Sequence, residues 1–129
     1  MIKIIFCLRR LPRLTREEFH SYWHNQHAPL VRSVASTLGL RRYVQSHTFT
    51  HSGLQLTIDA RGGEVAPYDG IAELWYDSVE MVMALVSGEE VRRAGRALLE
   101  DERKFIDLPN SPLFYSVEHE IVAEPNLVE

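Results

Sequence analysis

Between Arg41 and Phe49 a phenol, an amide, an imidazole and a phenyl ring recur at every second position, as Tyr43, Gln45, His47 and Phe49. In an extended strand that spacing turns all of them to one side. Asp69, Ile71, Glu73 and Trp75 repeat the pattern further on, leaving Ala72, Leu74 and Tyr76 as the set expected to pack against helices. With both polar sides opposite the helices, a tyrosine, two carboxylates and a histidine would meet beside the wall of Trp75. A neutral imidazole can take a proton near pH 7, a carboxylate can fix its tautomer, and a tyrosine can polarise a carbonyl. On this reading His47 is the base, Glu73 or Asp69 its orienter, and Tyr43 the donor to a developing enolate. Trp23, Gln45, Phe49, Ile71 and Trp75 would contact substrate. The chemistry is proton abstraction beside a carbonyl, followed by loss of water, ring closure or rearrangement, and it needs no cofactor. The competing reading is a satisfied polar network that does no chemistry.

Other reactive residues read more blandly. His27 lies on an apolar helical stripe with Phe19, Trp23 and Leu30, at a helix C-terminus. As a structural residue it bonds a backbone carbonyl near the Ala28-Pro29 bend, which geometry alone favours; as a functional one it reaches the pocket mouth. His20, His24 and His27 have spacings that can bridge a metal, but the glutamate and third ligand of a zinc-peptidase helix are missing, so a solvated face and no metal are expected. Glu100, Asp101 and Glu102 read as helix surface. Gly62-Gly63 lacks the lysine and helix start of a phosphate loop, and no serine nucleophile elbow occurs. Cys7 stands alone in an apolar run, which excludes an intrachain disulfide and suggests a buried inert thiol.

These side chains need a frame. Ile2 to Arg9 reads as a first strand ended by Leu11-Pro12. Thr15 with Glu18 forms a capping box that opens a helix, which ends or kinks just after His27 because of Pro29, unless Pro29 instead opens a second turn running to Leu38 with Gly39 as the stop. Strands follow at 41–49, 70–76 and 113–122, and helices at about 77–86 and 89–103, broken near Ser87-Gly88. Ser52 to Tyr68 reads as a long excursion and a candidate lid. The order β-α-β-β-α-β is the ferredoxin-like signature of an α+β fold, one domain over residues 1–129 with a four-stranded antiparallel sheet. Helices on one face leave the other bare, which predicts a homodimer. The facing of the first and last strands stays open, and Lys3, Arg9, Glu118 and His119 are left outside the site.

Composition narrows the function. With 129 residues, 45% hydrophobic and 25% charged, the chain has room for one core. A net charge of −4 with scattered basic residues argues against nucleic-acid binding. No apolar stretch reaches the roughly 18 residues of a membrane span, and the opening residues are too short for a secretory core, so the cytoplasm is the expected location.

The sequence also resembles the EthD-like proteins of the dimeric α+β barrel superfamily. The likeness rests on Arg9-Arg10, then Leu14-Thr15-x-x-Glu18-Phe19-x-x-Tyr22-Trp23-x-x-x-His27-Ala28-Pro29-Leu30-Val31, on Tyr43-x-Gln45-x-His47, on Tyr68 to Trp75, and on Ser87 to Phe105. The resemblance implies a homodimer with facing sheets, a pocket for a small organic ligand, and a functional His27. Its wider relatives include cofactor-free dehydratases, cyclases and isomerases acting on aromatic, polyketide or lactone substrates. A small cofactor-independent lyase or isomerase is the expectation. The alternatives are a non-catalytic accessory protein of ether or aromatic breakdown, and a cofactor-free monooxygenase.

Overall fold

The computed structural model describes residues 1–125; the end of the expected 1–129 domain lies outside the described residues. Strands β1 (Ile2–Leu8), β2 (Arg42–His47), β3 (Gly70–Tyr76) and β4 (Leu113–Ser116) form one antiparallel sheet in the order β2-β3-β1-β4. Helices α1 (Arg16–Tyr22), α2 (Ala28–Val34), α3 (Gln55–Asp59), α4 (Val79–Val86) and α5 (Glu89–Glu102) complete the α+β, ferredoxin-like arrangement.

Strand alternation decides which face is buried. Ile4, Phe6 and Leu8 of β1 and Ala72 and Tyr76 of β3 meet Phe19, Trp23, Phe105 and Ile106 in one apolar cluster. Phe19 and Phe105 are wholly buried, each contributing roughly 1.5–3 kcal/mol relative to an exposed ring.

The first helical run starts as its sequence dictates. The Glu18 N–H donates to the Thr15 hydroxyl at 3.0 Å, and the Thr15 N–H donates to the Glu18 carboxylate at 2.8 Å. It does not break at His27. A π-helical segment, Trp23–His27, joins α1 directly to α2, with the Ala28 N–H donating to the Trp23 carbonyl. Pro29 explains it: proline has no N–H, and its ring crowds the carbonyl four residues back, so one wider turn absorbs the misfit. Gly39 closes the run at φ +70°.

The structure corrects several boundaries. β4 stops at Ser116 rather than 122, because its partner Lys3 lies next to the start of β1 and the ladder runs out. β2 stops at His47, so Phe49 lies beyond the strand and is 72% exposed. Helix α4 is capped by the Ser78 hydroxyl, which accepts from the Met81 N–H, while Asp77 pairs with Arg41. The 52–68 excursion carries a 3-10 turn, Ser52–Leu54, followed by α3. Among the described residues no helix is long and apolar enough to cross a membrane.

Candidate active site

The pairing of β2 with β3 overturns the pocket drawn from alternation alone. Tyr43, Gln45 and His47 lie opposite Leu74, Ala72 and Gly70, so they face the helices. Glu73 lies opposite Val44 and Ile71 opposite Ser46, on the other side. His47 and Glu73 are therefore separated by the sheet. Asp69 is 4% exposed at the start of β3, where its carboxylate takes hydrogen bonds from the Arg10 backbone N–H and from the guanidinium groups of Arg10 and Arg16. Burial alone would raise its pKa, but these bonds and the arginine charges hold it below the ordinary carboxylate value. It clamps β1 and α1 to β3 and does not orient His47.

A different acid-base group forms between sheet and helices. His27 is 4% exposed, and its Nδ1–H donates to Asp101 Oδ2 at 2.7 Å. The Tyr22 hydroxyl donates to the other Asp101 oxygen at 2.6 Å. Burial lowers the His27 pKa against the pull of Asp101, so the ring is neutral with Nε2 as its free lone pair. Burial pushes Asp101 upward, but the bonds from Tyr22 and His27 bring it below the ordinary value, and burial followed by the Asp101 charge raises Tyr22 to about 12. The next residue, Glu102, is raised to about 7 by burial and by the neighbouring Asp101 charge. His27, Glu102, Tyr43 and Trp23 line one cavity of about 30 Å³, walled by Phe6, Leu8 and other core residues. At that size it holds a water-sized group and not a whole organic molecule.

Tyr43 is aimed by its neighbours. Gln45 donates from Nε2 to the Trp23 carbonyl at 3.0 Å and to the Tyr43 oxygen at 2.9 Å. Its carbonyl must then face His47, whose Nε2–H donates to it at 2.8 Å. The His47 ring stacks on Trp23 at 4.6 Å between centroids, and burial with the nearby His20 and His24 lowers its pKa. Because the Tyr43 oxygen accepts from Gln45, its own proton is left to donate.

The remaining expected site residues are elsewhere. On the open face, Glu73 pairs with Lys3 at 2.6 Å, and Trp75, 6% exposed, donates from its indole N–H to Glu118 at 2.6 Å. Phe49 and the 52–68 excursion line no part of the cavity. His24 is exposed as expected, but His20 is half-buried and donates from Nε2 to the Asp69 carbonyl at 2.7 Å.

Residues 11–109 match the EthD domain, well over half of the chain. This chain belongs to the EthD family. It is 24% identical over 115 residues to a protein named dehydratase ustZ from Ustilaginoidea virens, spanning 84% of this chain and 80% of that one. An EthD family protein from Bacillus halodurans superposes with a TM-score of 0.60 at 22% identity, over 92% of this chain and 99% of that one. A dimeric protein of unknown function and ferredoxin-like fold from Bacteroides fragilis gives 0.55 at 9% identity, over 89% and 93%.

Three members of this cluster, Tyr22, Asp101 and Glu102, stood outside the residues picked from sequence. The run Glu100-Asp101-Glu102 reads as a charged surface, but Ala94, Leu98, Asp101 and Phe105 are all buried, at spacings of four, three and four. That stripe was the signal: following the apolar face of α5 places Asp101 inside it.

Proposed function

We propose that the protein is a small dehydratase-type lyase that draws its chemistry from side chains alone, with His27 rather than His47 as the base. The observation that carries this reading is the buried Asp101–His27 pair, 2.7 Å apart, opening on a cavity shared with Glu102 and Tyr43. Asp101 fixes the Nδ1–H tautomer, so Nε2 takes a proton from the carbon beside a substrate carbonyl. Tyr43 donates to the carbonyl oxygen as charge builds there. Glu102, protonated by its burial, delivers its proton to the departing β-hydroxyl, and water leaves as the carbon–carbon double bond forms. The proton on His27 then returns to Glu102, restoring both groups. The 24% identical relative that carries a dehydratase name supports the same reaction class. Aromatic, polyketide or lactone-like compounds bearing a β-hydroxyl are the substrate class, the enzyme works in the cytoplasm, and a homodimer is the working form, as in the dimeric neighbour of like fold.

The test is a panel of β-hydroxy ketones and lactones followed under nitrogen by absorbance of the conjugated product and by mass. His27→Gln and Asp101→Asn should each lower kcat by about 10²–10⁴, the usual range for removing a general base or its orienter. His47→Ala should lower it less. Undiminished turnover by His27→Gln overturns the assignment.

A further inference from the structure

A second cleft, of about 250 Å³, opens between α2 and β2. Val31 and Tyr43 line both this cleft and the inner cavity, so they form the partition between the two spaces. The cleft wall carries Arg32, Arg41 and Arg42 and no carboxylate. In a chain of net charge −4, that is a local reversal of sign. Two of the arginines are engaged elsewhere: Arg41 lies 3.3 Å from Asp77, and the Arg42 guanidinium sits over the Trp75 ring at 4.5 Å. Arg32 is exposed and has no ion-pair partner among the described residues. Its guanidinium can meet a carboxylate with two parallel N–H groups. The rest of the wall includes Ala28, Ala35 and Leu40, which suits an apolar skeleton.

We propose that this cleft is the anion subsite of the same active site, in which Arg32 binds the carboxylate of a small, otherwise apolar organic acid while its neutral, reacting end passes Tyr43 into the inner cavity. The inference rests on the reading of that cavity as the reaction chamber. Electrostatics supports the division of labour. Asp101 already places a negative charge beside the chamber, and a substrate carboxylate drawn inside would be buried next to it without a cationic partner. Held at the outer cleft, the same carboxylate stays partly solvated and faces guanidinium groups. The outer cleft, at about 250 Å³, has space for a ring, and the inner cavity, at about 30 Å³, for a water-sized group at its tip.

The experiment is a titration of the whole protein, followed by NMR at the Arg32 side chain and the Tyr43 ring, with benzoate and phenylacetate against their neutral amides. The expected result is that the carboxylates shift both resonances and bind about tenfold more tightly than the amides, which is about 1.4 kcal/mol. Added salt should erode the preference. Arg32→Gln should abolish it, and Arg32→Lys should keep part of it, because charge remains while the fork is lost. Equal binding of acid and amide, binding indifferent to Arg32→Gln, or no shift at either residue with either acid overturns the subsite. His27→Gln separates this from the chemistry. Carboxylate binding that persists in His27→Gln, alongside unchanged turnover, would sink the base assignment and leave the subsite standing.

Discussion

Glu102 and His27 share a cavity, yet burial moves their protons in opposite directions. His27 is lowered from 6.5 by desolvation, and Glu102 is raised from 4.5 to about 7, first by desolvation and then by the Asp101 charge. Dehydration as proposed needs the imidazole neutral and the carboxyl protonated. Both hold together only in a narrow window, so kcat/KM should follow a bell that peaks just below neutral pH, and Glu102→Gln should remove the alkaline limb along with most of the rate. Stability carries the same signature with its own signs. The folded state holds a proton on Glu102 that the unfolded state has released above its ordinary value, so this contribution is complete at low pH and is lost as pH rises through about 7. His27 works the other way: its contribution is present above 6.5 and is lost as pH falls through its lowered folded value. Thermal unfolding across pH checks both. Glu102→Gln should gain on the wild type at pH 8 relative to pH 5, and an identical offset at the two pH values would remove the buried acid from the account.

At the scale of elements, the π segment is what aims His27. It inserts one extra residue into the helix between Trp23 and Ala28, turning the preceding residues by about 100° relative to a regular α-helix. Pro29→Ala restores the missing N–H and relieves the crowding, so the helix can relax to the α form and swing His27 away from Asp101. The expected outcome is a protein at least as stable as the wild type, with kcat reduced about tenfold or more and the Nδ1–H tautomer signal of His27 lost from nitrogen NMR. Retention of that signal would show that the surrounding pack, not Pro29, holds the bulge. Gly70 is where the sheet comes closest to this segment: a Cβ there would strike the Trp23 ring and lie 2.8 Å from the Ser46 carbonyl, so Gly70→Ala should destabilise by about 1–3 kcal/mol in denaturant titration. Elements of this kind were legible where a local rule decides them. The Thr15–Glu18 box, the Gly39 stop and the alternation of Ala72, Leu74 and Tyr76 each carry their own signature in the sequence. The π segment was not legible, because Pro29 alone permits a break, a kink or a bulge. Nor was the face of β2: alternation groups Tyr43 with Gln45 and His47, but only the register against Leu74, Ala72 and Gly70 says that the group looks inward. Asp101 and Glu102 were hidden by their charge, which outweighed their place on the apolar stripe of α5.

At the scale of the molecule, the sheet has a second face that its own helices do not cover. Ile5, Val44, Ile71 and Phe114 lie there, around the Lys3–Glu73 ion pair and Trp75. Among the described residues, the chain after β4 crosses part of it, bringing Glu118 to Lys3 and to the Trp75 indole. An apolar sheet face with a polar centre is suited to a second copy of itself, since a two-fold axis matches like with like. Light scattering should give a mass of about twice 14.9 kDa at micromolar concentration. Ile71 stands between Cys7 and Ser46 in mid-sheet, so Ile71→Lys places a charge at the centre of that contact without touching the helix side. It should yield a folded monomer with unchanged far-ultraviolet circular dichroism and a lower Tm, because the partner no longer stabilises the native state by mass action. The sheet residues that line the inner cavity, Phe6, Leu8, Tyr43, Ala72 and Leu74, lie on the helix side, the face turned away from this contact. Turnover per protomer by the monomer, measured well below its Tm, should therefore stay within a few-fold of the wild type; a loss as deep as that of His27→Gln would mean that the second copy sets the spacing between sheet and helices on which the site depends.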